Sequence, residues 1–227
     1  MPALPAIRID DSLIAAWPET HLGCIAYEVR VRQRNPELWR YYEDGPAAAL
    51  RDKLATTPLA DMPMLGAARA AYKAFGADPR RNRISSEALY RRLRQGKALY
   101  QINSLVDANN LLSIETGFSL GSYDTARIGP DLVFRLGGPG ESYAGIGKAA
   151  IALANLPLLA DDAGPFGGPT SDSERAMITG ATTRGLTVIY SFSGKDALLP
   201  ALALAERQLT RFAQVENARS MVVGSAG

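Results

Sequence analysis

The stretch Arg80–Asp124 (RRNRISSEALYRRLRQGKALYQINSLVDANNLLSIETGFSLGSYD) constrains this chain more than any other. It joins a basic helix-forming run, a cluster of Asn and Asp, and a Gly-bounded turn in one continuous segment. Ser85 is positioned to cap the helix, with Ile84 stapled onto Leu89, Leu89 and Leu93 turned inward, and Gly96 as the stop. Residues 99–112 mix apolar Ile102, Leu105 and Val106 with polar Asn103, Asp107, Asn109 and Asn110. This pattern predicts a second short helix with its polar side on a cleft. Asn103, Asp107 and Asn110 fall at i, i+4 and i+7, one helix face, which is either a polar pocket wall or a buried hydrogen-bond network.

The remainder arranges itself around that segment. Residues 7–14 read as a short strand and turn. Gly23–Val31 alternates apolar and polar residues as a half-buried strand does. Helical sections follow over 38–55, interrupted at Gly45-Pro46, and over 64–75, ended by Gly76. The C-terminal half turns β-rich, with strands over 132–136, 156–160 and 186–192. A long amphipathic helix spans 196–215, and a frayed tail follows from Asn217. The expectation is a single α+β domain over residues 1–227: a 1–62 strand and helical extension, a 63–215 β-rich core with packed helices, and a flexible 216–227 tail.

Charge distribution adds a candidate surface. Arg69, Lys73, Arg80, Arg81, Arg83, Arg91, Arg92, Arg94 and Lys97 stand against only Asp78 and Glu87 in one window. Such a window suits phosphate, although a solvated helix face has the same composition. With Cys24 as the only cysteine there is no internal disulfide, and a reducing, cytoplasmic setting is expected. The N-terminus has no secretory-signal pattern. The longest apolar run, 149–160, is broken by Asn155 and Pro157 and falls short of the roughly 20 residues of a membrane helix. No membrane association is expected.

Three familiar catalytic patterns fail. Gly117-Phe118-Ser119-Leu120-Gly121 has nucleophile-elbow spacing, yet the one histidine, His21, lies upstream rather than downstream of the serine. Gly145-Ile146-Gly147-Lys148 lacks the first glycine of a phosphate loop and has Ala149 in place of the magnesium-binding hydroxyl. One histidine and one cysteine leave no zinc set, and Asp161-Asp162 reads as a turn. Neither metal nor cofactor is expected.

Four patterns carry a resemblance. Residues 102–110 (INSLVDANN) are similar to an I-N-x-V-V-D-x-x-N run, and 117–124 (GFSLGSYD) to a G-Q-P-L-H-A-F-D turn. Val133-Phe134-Arg135 with Gly140-Glu141 is similar to V-R…G-E. Leu159-Ala160-Asp161 and 164–168 (GPFGG) are similar to I-A-D…G-I-M-G-G. In order and spacing these resemble the B3/B4 domain of the phenylalanyl-tRNA synthetase β-subunit, in its stand-alone form, over roughly residues 83–183. That domain hydrolyses tyrosine wrongly attached to phenylalanine tRNA, a second sieve behind an imperfect first one.

The resemblance implies an RNA-binding protein acting on aminoacyl-tRNA by hydrolysing a mischarged ester in trans, or a non-catalytic module that keeps the fold. No ATP-using ligase core is visible. It implies catalytic roles for Asn103, Asp172 and Thr179. It also implies a substrate pocket of Asn110, Gly121, Tyr123, Arg135, Glu141, Gly167, Gly168 and Arg175, and RNA contacts from Arg80, Arg81, Arg83, Arg91, Arg92 and Arg94. Two positions depart from the pattern: Gly121 replaces the turn's histidine, and Pro169 replaces a glutamate after Gly-Gly. Asp172, Ser173, Arg175, Thr179, Thr182 and Thr183 are the polar residues available to compensate. The smaller Gly121 is expected to widen the pocket.

Overall fold

The computed structural model describes residues 3–147 and 149–224. Chain order is β1 (Ala6–Ile9), α1 (Asp11–Ala16), β2 (His21–Val29), α2 (Pro36–Asp44), α3 (Pro46–Thr56), α4 (Pro63–Ala74), α5 (Ser85–Arg94) and α6 (Ser104–Thr116). Then come β3 (Ser119–Asp124), β4 (Asp131–Leu136), β5 (Ser142–Ala144), β6 (Ala150–Ala152), β7 (Pro157–Asp161), β8 (Gly164–Gly167), β9 (Arg184–Ser191), α7 (Gly194–Phe212) and β10 (Val215–Val223). The fold is α+β, as the sequence predicts.

Two four-stranded sheets, ordered β1-β4-β7-β8 and β10-β2-β9-β3, pack face to face. Register fixes which residues meet between them. Tyr190 on β9 pairs with Ser119, and Leu186 with Tyr123, so Tyr123 and Tyr190 share one face. Tyr190 stacks on Phe134 of the other sheet at 5.5 Å, and Tyr123 meets Phe166 edge-on at 5.0 Å. The opposite face of the second sheet carries α6 and α7; Gly23 is small there because a Cβ would press on Leu198 and Leu202 of α7. The β5–β6 hairpin supplies Tyr143 and Ile151 over the outer face of the first sheet, beside Leu153 and Leu158.

This layering corrects several expectations. The strand over 23–31 is buried on both faces, not one, because the second sheet is sandwiched between helices and the first sheet. The turn over 117–124 is strand β3, buried along its whole length. The helix within 99–112 starts at Ser104 and runs to Thr116, buried on nearly every side, so its polar residues do not line a cleft. Asn103 is its cap, accepting from Leu105 and Val106 backbone N–H, and Gly117 ends it at φ 85°.

Ile84, not Ser85, occupies the cap position of α5, with no side-chain capping bond. The inward face there is Ser86, Glu87 and Tyr90, while Leu89 and Leu93 are only half-buried. The tail expected from 216 is strand β10, paired antiparallel to β2 with a register shift between Glu216 and Arg219. Asn217 sits at that shift with φ 52°. Residues 225–227 of that tail lie outside the described residues. The short strands β5, β6 and β8 have too few residues to show a period. No described helix is long and apolar enough to cross a membrane.

Candidate functional site

The residues that the sequence places in one pocket separate into a cluster and several isolated positions. Gly121, Tyr123, Gly167, Gly168 and Asp172 do converge, on the phenol of Tyr123. Its hydroxyl donates to Asp172 Oδ1 at 2.7 Å and lies 2.5 Å from the Tyr190 hydroxyl. Asp172 also accepts from the Gly168 backbone N–H at 3.2 Å. Tyr123 is fully buried and Tyr190 nearly so. Burial first, and the negative charge of Asp172 second, push both phenols well above their ordinary range, so both stay protonated donors.

Gly121 and Gly167 are small because of this ring, and Gly168 because the Pro157 carbonyl and Leu158 backbone press on it. A Cβ on Gly121 would collide with the Tyr123 hydroxyl, and one on Gly167 with the Tyr123 ring and Asp172 Oδ1. Gly121 therefore does not widen the pocket; Tyr123 has taken the space. A void of about 10 Å³ beside Tyr190, lined also by Gly117, Ser119 and Pro169, holds at most one water. Around this void Tyr123, Phe166, Phe134 and Tyr190 pack the space between the sheets. Sequence reasoning missed Tyr190 and Phe166, the two aromatic walls, although the alternation over 186–192 marks Tyr190 as inward.

The other candidates lie elsewhere. Asn103 caps α6, and Asp107 accepts from the Trp39 indole at 3.0 Å and the Ile102 backbone at 2.7 Å, a buried network. Burial raises the Asp107 carboxyl above its usual range despite those bonds. Asn110 is half-buried on α6. Thr179 and Thr182 form a turn in which Thr182 donates to Asp124 at 2.8 Å. Arg175 clamps Asp161 with two bonds of 2.9 and 3.0 Å and also donates to the Gly164 carbonyl. Arg135 binds Glu141 with bonds of 2.6 and 2.8 Å. These arginines hold loops to strands. Ser119 is buried against Ser86, with no histidine beside it. Among the described residues no group of three or more His, Cys, Asp and Glu gathers as a metal set.

The basic window forms an outer face on α4, α5 and the loop between them. Glu87, buried on α5, organises it, receiving Arg69 at 2.7 and 2.9 Å and Arg91 at 2.7 Å. Burial would raise the Glu87 carboxyl, but the two guanidinium groups outweigh it and hold it low. Arg80 pairs with Asp78 in solvent, and Arg92 binds Tyr100 and the Ala98 carbonyl. Lys73, Arg81, Arg83, Arg94 and Lys97 are exposed and make no ion pair among the described residues. A depression of about 740 Å³ lies on this face, lined by Arg69, Lys73, Asp78 and Arg80.

This face is joined directly to the filled cleft. The Ser85 backbone donates to the Pro169 carbonyl at 2.7 Å, and the Tyr72 and Thr170 hydroxyls share a 2.7 Å bond. Pro169 and Thr170 follow Gly167-Gly168, so the cationic helices abut the loop that carries Asp172.

The B3/4 domain family model matches residues 67–213. Among solved structures, the chain is similar to an N-terminal fragment of the phenylalanyl-tRNA synthetase β-subunit from Pyrococcus horikoshii. The two share 14% identity with a TM-score of 0.45, over 96% of this chain and 50% of that one. The chain thus spans about half the length of that fragment. No curated protein matches it.

Proposed function

The chain belongs to the B3/4 domain family, and on that premise we propose that it is an RNA-binding module directed at tRNA. It holds its partner on the α4–α5 face, beside a cleft closed to an aminoacyl ester. The observation that carries this reading is the pairing of exposed Arg81, Arg83 and Lys73 with a pocket already filled by Tyr123. Exposed cations unneutralised by carboxylates release counterions when they meet phosphates, giving salt-dependent and largely sequence-tolerant affinity. The resemblance of residues 102–124 and 159–168 to a tRNA-directed domain supports tRNA as the class of partner. A cytoplasmic setting belongs to the same reading, since Cys24 as the one cysteine leaves the chain no internal disulfide.

The test is tRNA binding by filter retention at low and moderate salt, with a triple Arg80→Glu, Arg81→Glu, Arg83→Glu variant beside the wild type. Binding that weakens with salt, and weakens further in the variant, supports the reading. Equal binding by the variant removes the proposed face.

A second reading, hydrolysis of a mischarged ester in trans, is favoured by one observation. Gly121 and Gly167 face the Tyr123 phenol and Asp172 accepts from its hydroxyl, so a single rotation of Tyr123 would open space beside two glycines and uncover the Asp172 carboxylate together. In that reading Asp172 orients the attacking water. Asn103 and Thr179 hold the helix cap and a distant turn rather than the ester. Turnover of one mischarged tRNA that disappears in Asp172→Ala would support it; stable esters across a panel would remove it.

A further inference from the structure

A second depression, at the end of the basic face where Lys97 lies, sits between α2, α3 and the loop that leaves α5. Its volume is about 260 Å³, and Trp39, Tyr42, Arg51, Lys97, Leu99 and Gln101 line it. That is just below the roughly 300–1,000 Å³ of drug-sized ligand sites, the scale of a single flat ring. The Trp39 and Tyr42 rings stand edge to face at 5.9 Å. Tyr42 is 4% exposed, and its hydroxyl is buried with no hydrogen-bond partner among the described residues. That hydroxyl is turned into the core, so Tyr42 presents only part of its ring to the cavity. Arg51 and Lys97 are exposed at the rim and make no ion pair among the described residues; Glu43 is the acidic member of the lining.

Beside the cavity, Tyr100 is 60% exposed, an unusual position for a large aromatic ring. It is not loose. The Arg92 guanidinium lies 3.8 Å from the ring centroid, and its Nη1 donates to the Tyr100 hydroxyl at 2.9 Å. Arg92 is in turn bonded to the Ala98 carbonyl, and Gly96, at φ 69°, turns the chain into this loop. Ile102, 55% exposed, extends the apolar patch.

We propose that this cavity and Tyr100 form a subsite for unstacked bases of single-stranded RNA. The cavity takes one base against the exposed edges of Trp39 and Tyr42, with Gln101 facing its polar edge and Glu43 accepting from an exocyclic amine. Tyr100 stacks the neighbouring base, and Arg51 and Lys97 meet the linking phosphates. Aromatic faces interleaved with cations are the combination that single-stranded nucleic acid needs, since every base has a π-face and every linkage a charge. An acidic peptide would use the cations but not the ring-sized cavity. This subsite rests on the RNA-binding reading and specifies the part of the RNA that is recognised.

The test uses the full chain. A fluorescent single-stranded oligoribonucleotide and a tRNA are titrated against wild type, Tyr100→Ala, Gln101→Ala and the double variant Arg81→Glu, Arg83→Glu. Ultraviolet cross-linking with mass-spectrometric mapping gives the contact positions. The expected result is cross-links within 96–102, about tenfold weaker single-strand binding in Tyr100→Ala, and altered base preference in Gln101→Ala. RNA that cross-links only near Arg81 and Arg83, with Tyr100→Ala binding as wild type, overturns the subsite and leaves the RNA reading standing. Absence of RNA binding by wild type at low salt overturns both. Saturation of the cavity by free phenylalanine, with no response to adenosine monophosphate or oligoribonucleotide, also overturns it. Circular dichroism keeps a misfolded variant from being counted; Tyr100, being exposed, is the variant least exposed to that failure.

Discussion

The phenol of Tyr123 stands where a side chain on Gly121 would have to go: a Cβ built on Gly121 meets the Tyr123 hydroxyl and ring before any other group. The two residues are alternate positions on the same face of β3, so the strand's own period puts them side by side. One residue has given up its side chain, and the other fills the space between the sheets.

This coupling predicts a double-mutant result. Gly121→Ala alone overpacks the cleft and costs roughly 1–3 kcal/mol. Tyr123→Ala alone leaves a cavity and strips Asp172 of a donor, at about 3–5 kcal/mol. Combined, the two cost less than their sum, because the clash at Gly121 vanishes with the ring. Urea denaturation of the four proteins checks it; strict additivity would show that Tyr123 is not what fills the space.

Acid stability should depend on Glu87. Burial opposes its charge, but bonds from Arg69 and Arg91 hold its carboxyl below the ordinary 4.5 in the folded chain. A depressed carboxyl contributes stability above its unfolded value, and that contribution is lost as pH falls through the folded one. Thermal midpoints should therefore drop as pH goes below about 4.5. Glu141 and Asp161 are held low in the same sense by Arg135 and Arg175, while buried Asp107 works the opposite way. Glu87→Gln should be less stable at neutral pH and show a shallower acid loss. An unchanged slope would remove Glu87 from the account.

Arg69→Ala should cost about 2–3 kcal/mol, since it removes two charge-assisted bonds from a buried carboxylate that ties α4 to α5. Arg81→Ala, exposed and unpaired among the described residues, should change stability by less than about 0.5 kcal/mol while weakening RNA binding. Denaturation and binding measured on the same samples separate the two roles. A destabilised Arg81→Ala would contradict the division between structural and phosphate-facing arginines.

Sequence made the long elements legible because their signals are local. The Gly45-Pro46 break, the Gly76 and Gly96 stops and the strand over 186–192 each depend on a few adjacent residues. The errors came where tertiary packing decides. For α6 the sequence left a cleft wall and a buried network both open, and the buried partners Trp39 and Ser122 decide for the network at Asp107 and Asn109. Strand β10 looks polar in sequence because it is an edge strand with one outward face and a shift at Asn217.

The candidate site divides along the same line. The convergence of Gly121, Tyr123, Gly167, Gly168 and Asp172 was legible as a set of positions. That Tyr123 fills the space between them was not, because the space a side chain fills depends on the distant Phe166 and Tyr190. Arg135 and Arg175 read as pocket cations until the loops delivered Glu141 and Asp161 to them.

The account stands on binding without ester hydrolysis, so the most direct measurement follows both on one sample. Wild type and Tyr123→Ala are incubated with a panel of correctly and wrongly charged tRNAs at low salt, recording tRNA bound and aminoacyl ester remaining. The account predicts salt-sensitive binding by wild type with ester lifetimes no shorter than in buffer. Rapid loss of one mischarged ester with wild type, abolished by Asp172→Ala in a folded protein, would contradict it and show that Tyr123 opens the cleft in solution.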